Sequence, residues 1–175
     1  MISKEQNKWY PVYTNPRAEK KAYEALVKKG IAAYLPLHKQ LKQWSDRKKW
    51  VDEPLIKSYL FVNISIKQMG DVLTTPGICR FIYFSGKVAA MPEKQIVDLQ
   101  LLLANETDLE LTDHRFAKGE RVAVKAGPLK GFSGELVELR SQKKFILRID
   151  HIGQTLIVQM PQAFLEPIGF AEAVQ

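Results

Sequence analysis

Residues 118–139, KGERVAVKAGPLKGFSGELVEL, decide the fold of the C-terminal part. RVAV and GELVEL alternate apolar and polar side chains as half-buried strands do, and GPLKGF between them concentrates turn residues. Gly127, Pro128, Gly131 and Gly134 supply sharp corners, because glycine enters positive φ at little steric cost and proline fixes its own φ. The rhythm continues through KFILRI (144–149), TLIVQM (155–160) and AFLEPI (163–168), with RSQK and DHIG as the intervening turns. Short strands at this spacing predict a small all-β barrel over residues 119–170, with no helix after Lys118.

Upstream the pattern changes. ETDLELTDHRFAK (106–118) is polar and acidic without a sustained period, which predicts a linker. Residues 1–105 interleave strands and helices. KWYPVYT (8–14) reads as a strand in which Pro11, lacking an N–H, needs an outward-facing nitrogen or a bulge. Asn15 and Pro16 predict a helix start, and Ala18, Ala22, Ala25 and Leu26 carry its apolar stripe until Gly30 stops it. HKQLKQWSDRKKW (38–50) predicts a hairpin turning at Ser45-Asp46-Arg47, and PLIKSYLFVNI (54–64) is the most apolar strand. A short helix over Ile66–Leu73, the strand ICRFIYF (78–84) and a helix opened by Met91-Pro92, with Ile96, Leu99, Leu102 and Leu103 on one face, complete the set. The expectation is an α+β sandwich, helices on one side of a mostly antiparallel sheet.

The net charge of +7 is unevenly shared. Residues 1–105 carry 17 Lys and Arg against 9 Asp and Glu, whereas residues 106–175 carry 9 against 10. Clustered cations point to a polyanion near the first part, either nucleic acid or an acidic protein surface. The hairpin places five basic residues and two tryptophans within thirteen positions, a mixture that can stack bases and hold phosphates. Arg17, Lys20 and Lys21 on the helix and Arg47, Lys48 and Lys49 at the hairpin are the candidate nucleic-acid contacts. A single cysteine, Cys79, and three scattered histidines offer no disulfide and no metal-ligand spacing, so neither metal nor cofactor is expected. The N-terminus lacks a signal-peptide core and no stretch is long enough to span a bilayer, so a cytoplasmic protein without membrane contact is expected. No Ser/His/Asp order, phosphate loop or paired-carboxylate arrangement stands out, and no enzyme is expected.

The order of residues is more specific than these patterns. Gly119, Val122, Gly127, Pro128, Lys130, Gly131 and Gly134 fall as in the KOW motif of transcription and ribosomal proteins. KWYPVYTNPRAEKKAYEAL, AAYLPL, EPLIKSYLFVNI and TTPGICRFIYFSGKVAAMPEKQI, in that order, resemble the N-terminal (NGN) domain of the NusG family of transcription elongation factors. The resemblance covers about residues 8–168. It implies a ferredoxin-like NGN domain over 1–105, a linker over 106–118 and an SH3-like KOW barrel over 119–170. It also implies a non-enzymatic, monomeric factor that binds the clamp of RNA polymerase and suppresses pausing or termination, while its KOW domain recruits a ribosomal protein, Rho or another partner. The residues matching the family's clamp-binding patch are Tyr13, Ile56, Tyr59 and Phe61. Ile56-Lys57-Ser58 departs from the family's Phe-Pro-Gly, which changes the local turn chemistry.

The basic helix and hairpin match the side that lies near upstream or non-template DNA in specialised members. The basic hairpin and the ending KFILRIDHIGQTLIVQMPQAFLEPI look more like operon-specific antiterminators of the UpxY and RfaH type, associated with capsular polysaccharide operons, than like the general factor. The alternative is an RNA-binding or ribosome-associated KOW module that does not bind polymerase. The near-neutral C-terminal part counts against it, because an RNA-holding barrel should carry excess positive charge.

Overall fold

The computed structural model describes residues 5–168, and the chain divides into two compact units, Met1–Val97 and Asp98–Gln175. In the first, β1 (Lys8–Thr14) is followed by α1 (Glu19–Lys28), β2 (Ala32–Tyr34), β3 (Leu37–Gln43), β4 (Lys48–Pro54) and β5 (Tyr59–Ile64). A 3-10 turn (Ile66–Gln68) runs into α2 (Met69–Leu73), then β6 (Ile78–Phe81) and the small pair β7 (Tyr83–Phe84) and β8 (Lys87–Val88). The helix α3 (Glu93–Ala104) crosses the division between the units in sequence.

The main sheet of the first unit has the order β2-β5-β1-β6, every neighbouring pair antiparallel. Strand alternation splits its side chains between two faces. Tyr10, Val12, Leu60, Val62, Ile64, Ile78 and Phe81 form one core with Ala22 and Leu26 of α1 and Val72 of α2. The opposite face carries Trp9, Pro11 and Tyr13 of β1 beside Tyr59, Phe61 and Asn63 of β5. Pro11 pairs with Phe61 and sits beyond the β6 ladder, which ends at Val12↔Phe81, and before the isolated bridge Trp9↔Met91. A missing N–H is tolerated where the neighbouring strand has left off. The register shift on that edge falls between Tyr13 and Thr14.

The first helix begins later than its sequence predicts. Asn15 is not its cap: the turn continues through Arg17 at φ 63, and the helix starts at Glu19 with no side-chain cap. Asn15 instead accepts a hydrogen bond from the Cys79 thiol at 2.8 Å. The far end follows expectation. Gly30 takes φ 75, its N–H reaches the Val27 carbonyl at 2.9 Å, and the Ile31 N–H reaches the Leu26 carbonyl at 3.0 Å. This is a Schellman stop, closed by the apolar contact of Ile31 and Leu26 in one core.

In the second unit one antiparallel sheet has the order β14-β10-β11-β12-β13-β9. Its strands are β9 (Leu109–Thr112), β10 (Glu120–Val124), β11 (Ser133–Leu139), β12 (Gln142–Ile149), β13 (Gln154–Val158) and β14 (Leu165–Pro167), with a 3-10 turn at Gln162–Phe164. Residues 106–118, expected as a plain linker, contain β9, which pairs with β13 from Thr155↔Thr112 to Val158↔Leu109. Phe116 is buried in a cluster with Val137, Ile146 and Ile157. Two glycines of the motif answer to close approach, since a Cβ on Gly119 would lie 2.5 Å from the Leu136 carbonyl oxygen and one on Gly134 2.6 Å from that of Ile146. Gly127 and Gly131 answer to conformation, at φ 83 and 93.

Candidate functional site

Two surfaces of the first unit gather the candidate residues. The first lies on the sheet face opposite the helical core. Tyr13 and Tyr59 are directly paired across β1 and β5, with rings 5.4 Å apart in edge-to-face contact. Tyr13 also pairs with Arg80 of β6, whose guanidinium carbon sits 5.2 Å from the Tyr13 ring centroid. Both tyrosines are half-buried, and Arg80 is exposed. Three adjacent strands thus present an aromatic pair loaded by a cation, an arrangement whose ring faces favour positive charge. Ile56 and Phe61 differ from the two tyrosines, being 2% and 0% exposed. Phe61 shares the tyrosines' face by alternation, but it is fully buried. Tyr34, paired with Phe61 from β2, is half-buried, and burial pushes its phenol up to about 12.

Ile56 belongs to a turn ahead of β5, so strand alternation does not relate it to Tyr59. That turn puts Ser58 at φ 64, the left-handed region that glycine enters more readily. Buried Glu19 holds it there by accepting the Ser58 N–H at 2.8 Å, and the Ser58 carbonyl accepts the Thr14 N–H at 2.9 Å.

The second surface is the hairpin of β3 and β4, a separate two-stranded sheet closed where the Trp44 N–H donates to the Arg47 carbonyl at 2.8 Å. Leu41↔Trp50 and Lys42↔Lys49 are adjacent cross-strand pairs, so they point to opposite faces. Trp50 is 65% exposed and Trp44 43%, and the Arg47 guanidinium lies 5.6 Å from the Trp44 ring centroid. Lys42 pairs with Glu53, and that hydrogen bond holds the Glu53 carboxyl below its ordinary value. Lys20 of α1 donates to the Asp52 carbonyl oxygen at 2.5 Å and ties helix to hairpin. Lys21, Lys48 and Lys49 are exposed.

Between the start of α1 and this hairpin lies an open cleft of about 660 Å³. Arg17 and Lys20 line it from the helix side, Lys42, Trp44 and Val51 from the hairpin, and Lys57 from the turn before β5. The expected nucleic-acid set therefore divides: Arg17 and Lys20 face the cleft, while Lys21, Arg47, Lys48 and Lys49 do not line it. Sequence reasoning did not single out Arg80, Lys57 or the cleft, because residues 17, 44 and 57 meet only through the fold.

In the second unit, Glu135 accepts Arg148 Nε at 2.8 Å and Arg148 Nη2 at 3.0 Å, and it also accepts the Gly119 N–H at 3.0 Å. Arg148 donates further to the carbonyls of Phe116 at 3.0 Å and Ala117 at 2.9 Å. Among the motif residues Val122 is buried, whereas Lys130 is exposed. Pro128 lines a groove of about 200 Å³ with Val124, Leu129, Met160 and Phe164.

Comparison with known proteins agrees with this architecture. A solved structure of Thermotoga maritima NusG is 21% identical, with a TM-score of 0.52 over 94% of this chain and 98% of that one. Chains of the MjSpt4:Spt5 complex, in conformations A and B, are 13% and 14% identical with TM-scores of 0.31 and 0.32, covering 92% of this chain and 98% and 97% of theirs. The family model described as "Transcription termination factor nusG" matches residues 7–100, more than half of the chain. With three α-helices and mostly sheet among the described residues the fold is NusG-like, and the chain belongs to the NusG family of transcription factors.

Proposed function

We propose that this chain is an elongation and antitermination factor that binds the clamp of RNA polymerase through a ferredoxin-like NGN domain over residues 1–105. In this reading residues 119–170 are an SH3-like KOW barrel that recruits a second partner, a ribosomal protein or Rho, and residues 106–118 join the two. The observation that carries it is the in-register Tyr13–Tyr59 pair beside Arg80 on the sheet face away from the helical core. A half-exposed aromatic anchor with a polar rim suits the tip of a helical partner. Ile56 and Phe61 belong to the same patch by family resemblance and, being buried, support its shape. The mechanism is differential binding, which stabilises the elongating polymerase over the paused one. The cationic helix and hairpin (Arg17, Lys20, Lys21, Arg47, Lys48, Lys49) face upstream or non-template DNA, mainly through phosphates. With its basic hairpin, the factor acts on particular operons, of the capsular polysaccharide kind, as a cytoplasmic monomer.

The test is co-elution of the purified protein with core RNA polymerase, wild type beside Tyr13→Ala/Tyr59→Ala. Phe61 is unsuited to it, because truncating a fully buried phenylalanine removes core packing at about 3–5 kcal/mol. Wild type should co-elute and the variant should not, with circular dichroism unchanged. A variant that still co-elutes as wild type does refutes the patch, and a wild type that holds RNA but no polymerase favours the RNA-binding alternative.

A further inference from the structure

Three of the large apolar side chains left exposed lie on one face of the β3–β4 hairpin: Leu37 at 37%, Leu41 at 50% and Trp50 at 65%. The register runs unbroken from Leu37↔Pro54 to Gln43↔Lys48, so alternate rungs share a face. Leu37↔Pro54, Lys39↔Asp52 and Leu41↔Trp50 stand on the outer face, and the rungs between them point the other way. The inner face is turned to α1, since Lys42, Val51 and Glu53 line the cleft there and Lys20 of α1 bonds the Asp52 carbonyl. The hairpin is a sheet of its own, with no third strand among the described residues. A two-stranded ribbon is marginal in water unless a face of it is packed. Apolar side chains gathered on one face among polar neighbours mark an interaction surface, unlike the single exposed residues scattered over any protein.

We propose that this outer face seats one acidic amphipathic helix of a partner protein, anchored at the Leu37↔Pro54 and Leu41↔Trp50 rungs. Width and spacing both suit a helix. Paired strands lie about 4.8 Å apart, so a helix about 10 Å across covers the two together. Leu37 and Leu41 are separated by about 13 Å along β3, a distance that about eight residues of helix span. Lys39 opposite Asp52, between the anchors, calls for a polar side chain on the intervening turn of the partner. Charge sets the sign of the rest. Residues 1–105 carry 17 Lys and Arg against 9 Asp and Glu, which draws an acidic partner and repels a second copy of the same unit. Nucleic acid fits this face less well, because leucine and proline give a base nothing to stack on and Asp52 stands between the apolar rungs. Trp50 has the chemistry of an interface anchor, an aromatic ring beside aliphatic neighbours. The hairpin is a different sheet from the one that carries Tyr13 and Tyr59, so the inference does not depend on the polymerase reading.

The experiment selects a phage-displayed library of random peptides, about 16 residues long and so able to form about four helical turns, on the full chain. Clones that also bind Leu41→Ser/Trp50→Ser are discarded. A second variant, Leu41→Glu, keeps Trp50 and places a carboxylate on the face, and circular dichroism checks both folds. The clones that remain should carry apolar residues three and four apart with Asp or Glu beside them. A synthetic copy of the strongest clone, followed by fluorescence anisotropy, should bind the full chain about tenfold or more weakly in either variant. Trp44→Ser, at the turn, and Tyr13→Ala/Tyr59→Ala should change little, and added salt should weaken binding. A selection that returns no clone dependent on Leu41 and Trp50 overturns the proposal, as do dependent clones that are basic or lack helical spacing. Binding of dT12 that depends on Trp50 as strongly as the peptide does assigns the face to nucleic acid instead. A wild type that elutes as a dimer, and as a monomer in Leu41→Ser/Trp50→Ser, assigns it to a second copy, and either result also overturns the proposal.

Discussion

Ser58 shows how one backbone angle joins the fold to its surface. At φ 64 it reverses the chain between Ile56 and Tyr59 and so determines where Tyr59 enters the sheet beside Tyr13. The left-handed region costs an L-residue about 1–2 kcal/mol, offset here by two backbone hydrogen bonds, to buried Glu19 and from Thr14. Ser58→Gly keeps both bonds and relieves the steric cost, while the extra freedom of the unfolded glycine chain takes back about 0.4–1 kcal/mol. The steric term is the larger of the two. The urea midpoint of the first unit, followed by tryptophan fluorescence, should therefore rise, by about 0.5–1 kcal/mol in stability. A fall in that midpoint would mean that the serine side chain contributes something the backbone account omits. The substitution of Lys57-Ser58 for Pro-Gly was visible in the sequence, but only the observed φ shows that serine adopts the glycine conformation.

Elements with a strong local signal were legible, and those made by distant partners were not. The Schellman stop at Gly30 and the hairpin turn at residues 44–47 are written in neighbouring residues, as are the five strands after Gly119. β9 was hidden because LELT is a half-exposed edge strand set in acidic residues, and its partner β13 lies more than forty positions away. Strand alternation likewise put Tyr59 and Phe61 on one face without telling which of them would stay accessible. The cleft is of the same kind, since none of its walls is complete in any one segment. Arg148 is the clearest case in the second unit, because it joins β12 to β11 through Glu135 and to the stretch before β10 through Phe116 and Ala117. Burial alone would raise the Glu135 carboxyl. The Arg148 hydrogen bond, the Gly119 N–H and the charges of Arg148 and Arg121 outweigh it and hold the group below its ordinary 4.5. The Arg148 guanidinium is correspondingly held above its ordinary value, first by its hydrogen bond to Glu135. A carboxyl with a depressed folded pKa contributes stability that is present above its unfolded pKa and lost as pH falls through the folded one. Acidification below about pH 4.5 should therefore lower the calorimetric midpoint of the second unit more in wild type than in Glu135→Gln. The variant should start from a lower midpoint at pH 7. Equal slopes in the two proteins would show that the pair does not couple to folding.

The division into two units is uneven in chemistry as well as in charge, and this makes the second separately testable. Every tryptophan and tyrosine lies before residue 98, so fluorescence reports the first unit alone and the second must be followed by far-ultraviolet dichroism or calorimetry. Residues 106–118 are the point at issue between composition and structure. Their acidic, aperiodic character describes a connector, yet they supply an edge strand, a buried phenylalanine and two carbonyls bonded by Arg148. A fragment beginning at Gly119 removes all three. It leaves the outer edge of β13 bare, opens the site of Phe116 at a cost of about 3 kcal/mol, and strips Arg148 of two acceptors. Units of this size bury a smaller fraction of their surface than larger domains do and have little stability in reserve. A fragment of residues 106–168 should therefore unfold cooperatively with the midpoint of the second unit in the full chain, whereas residues 119–168 should be largely unfolded or melt far lower. Equal midpoints for the two fragments would show that the 106–118 segment is the connector its composition describes, and that β9 and Phe116 add nothing to the stability of the second unit.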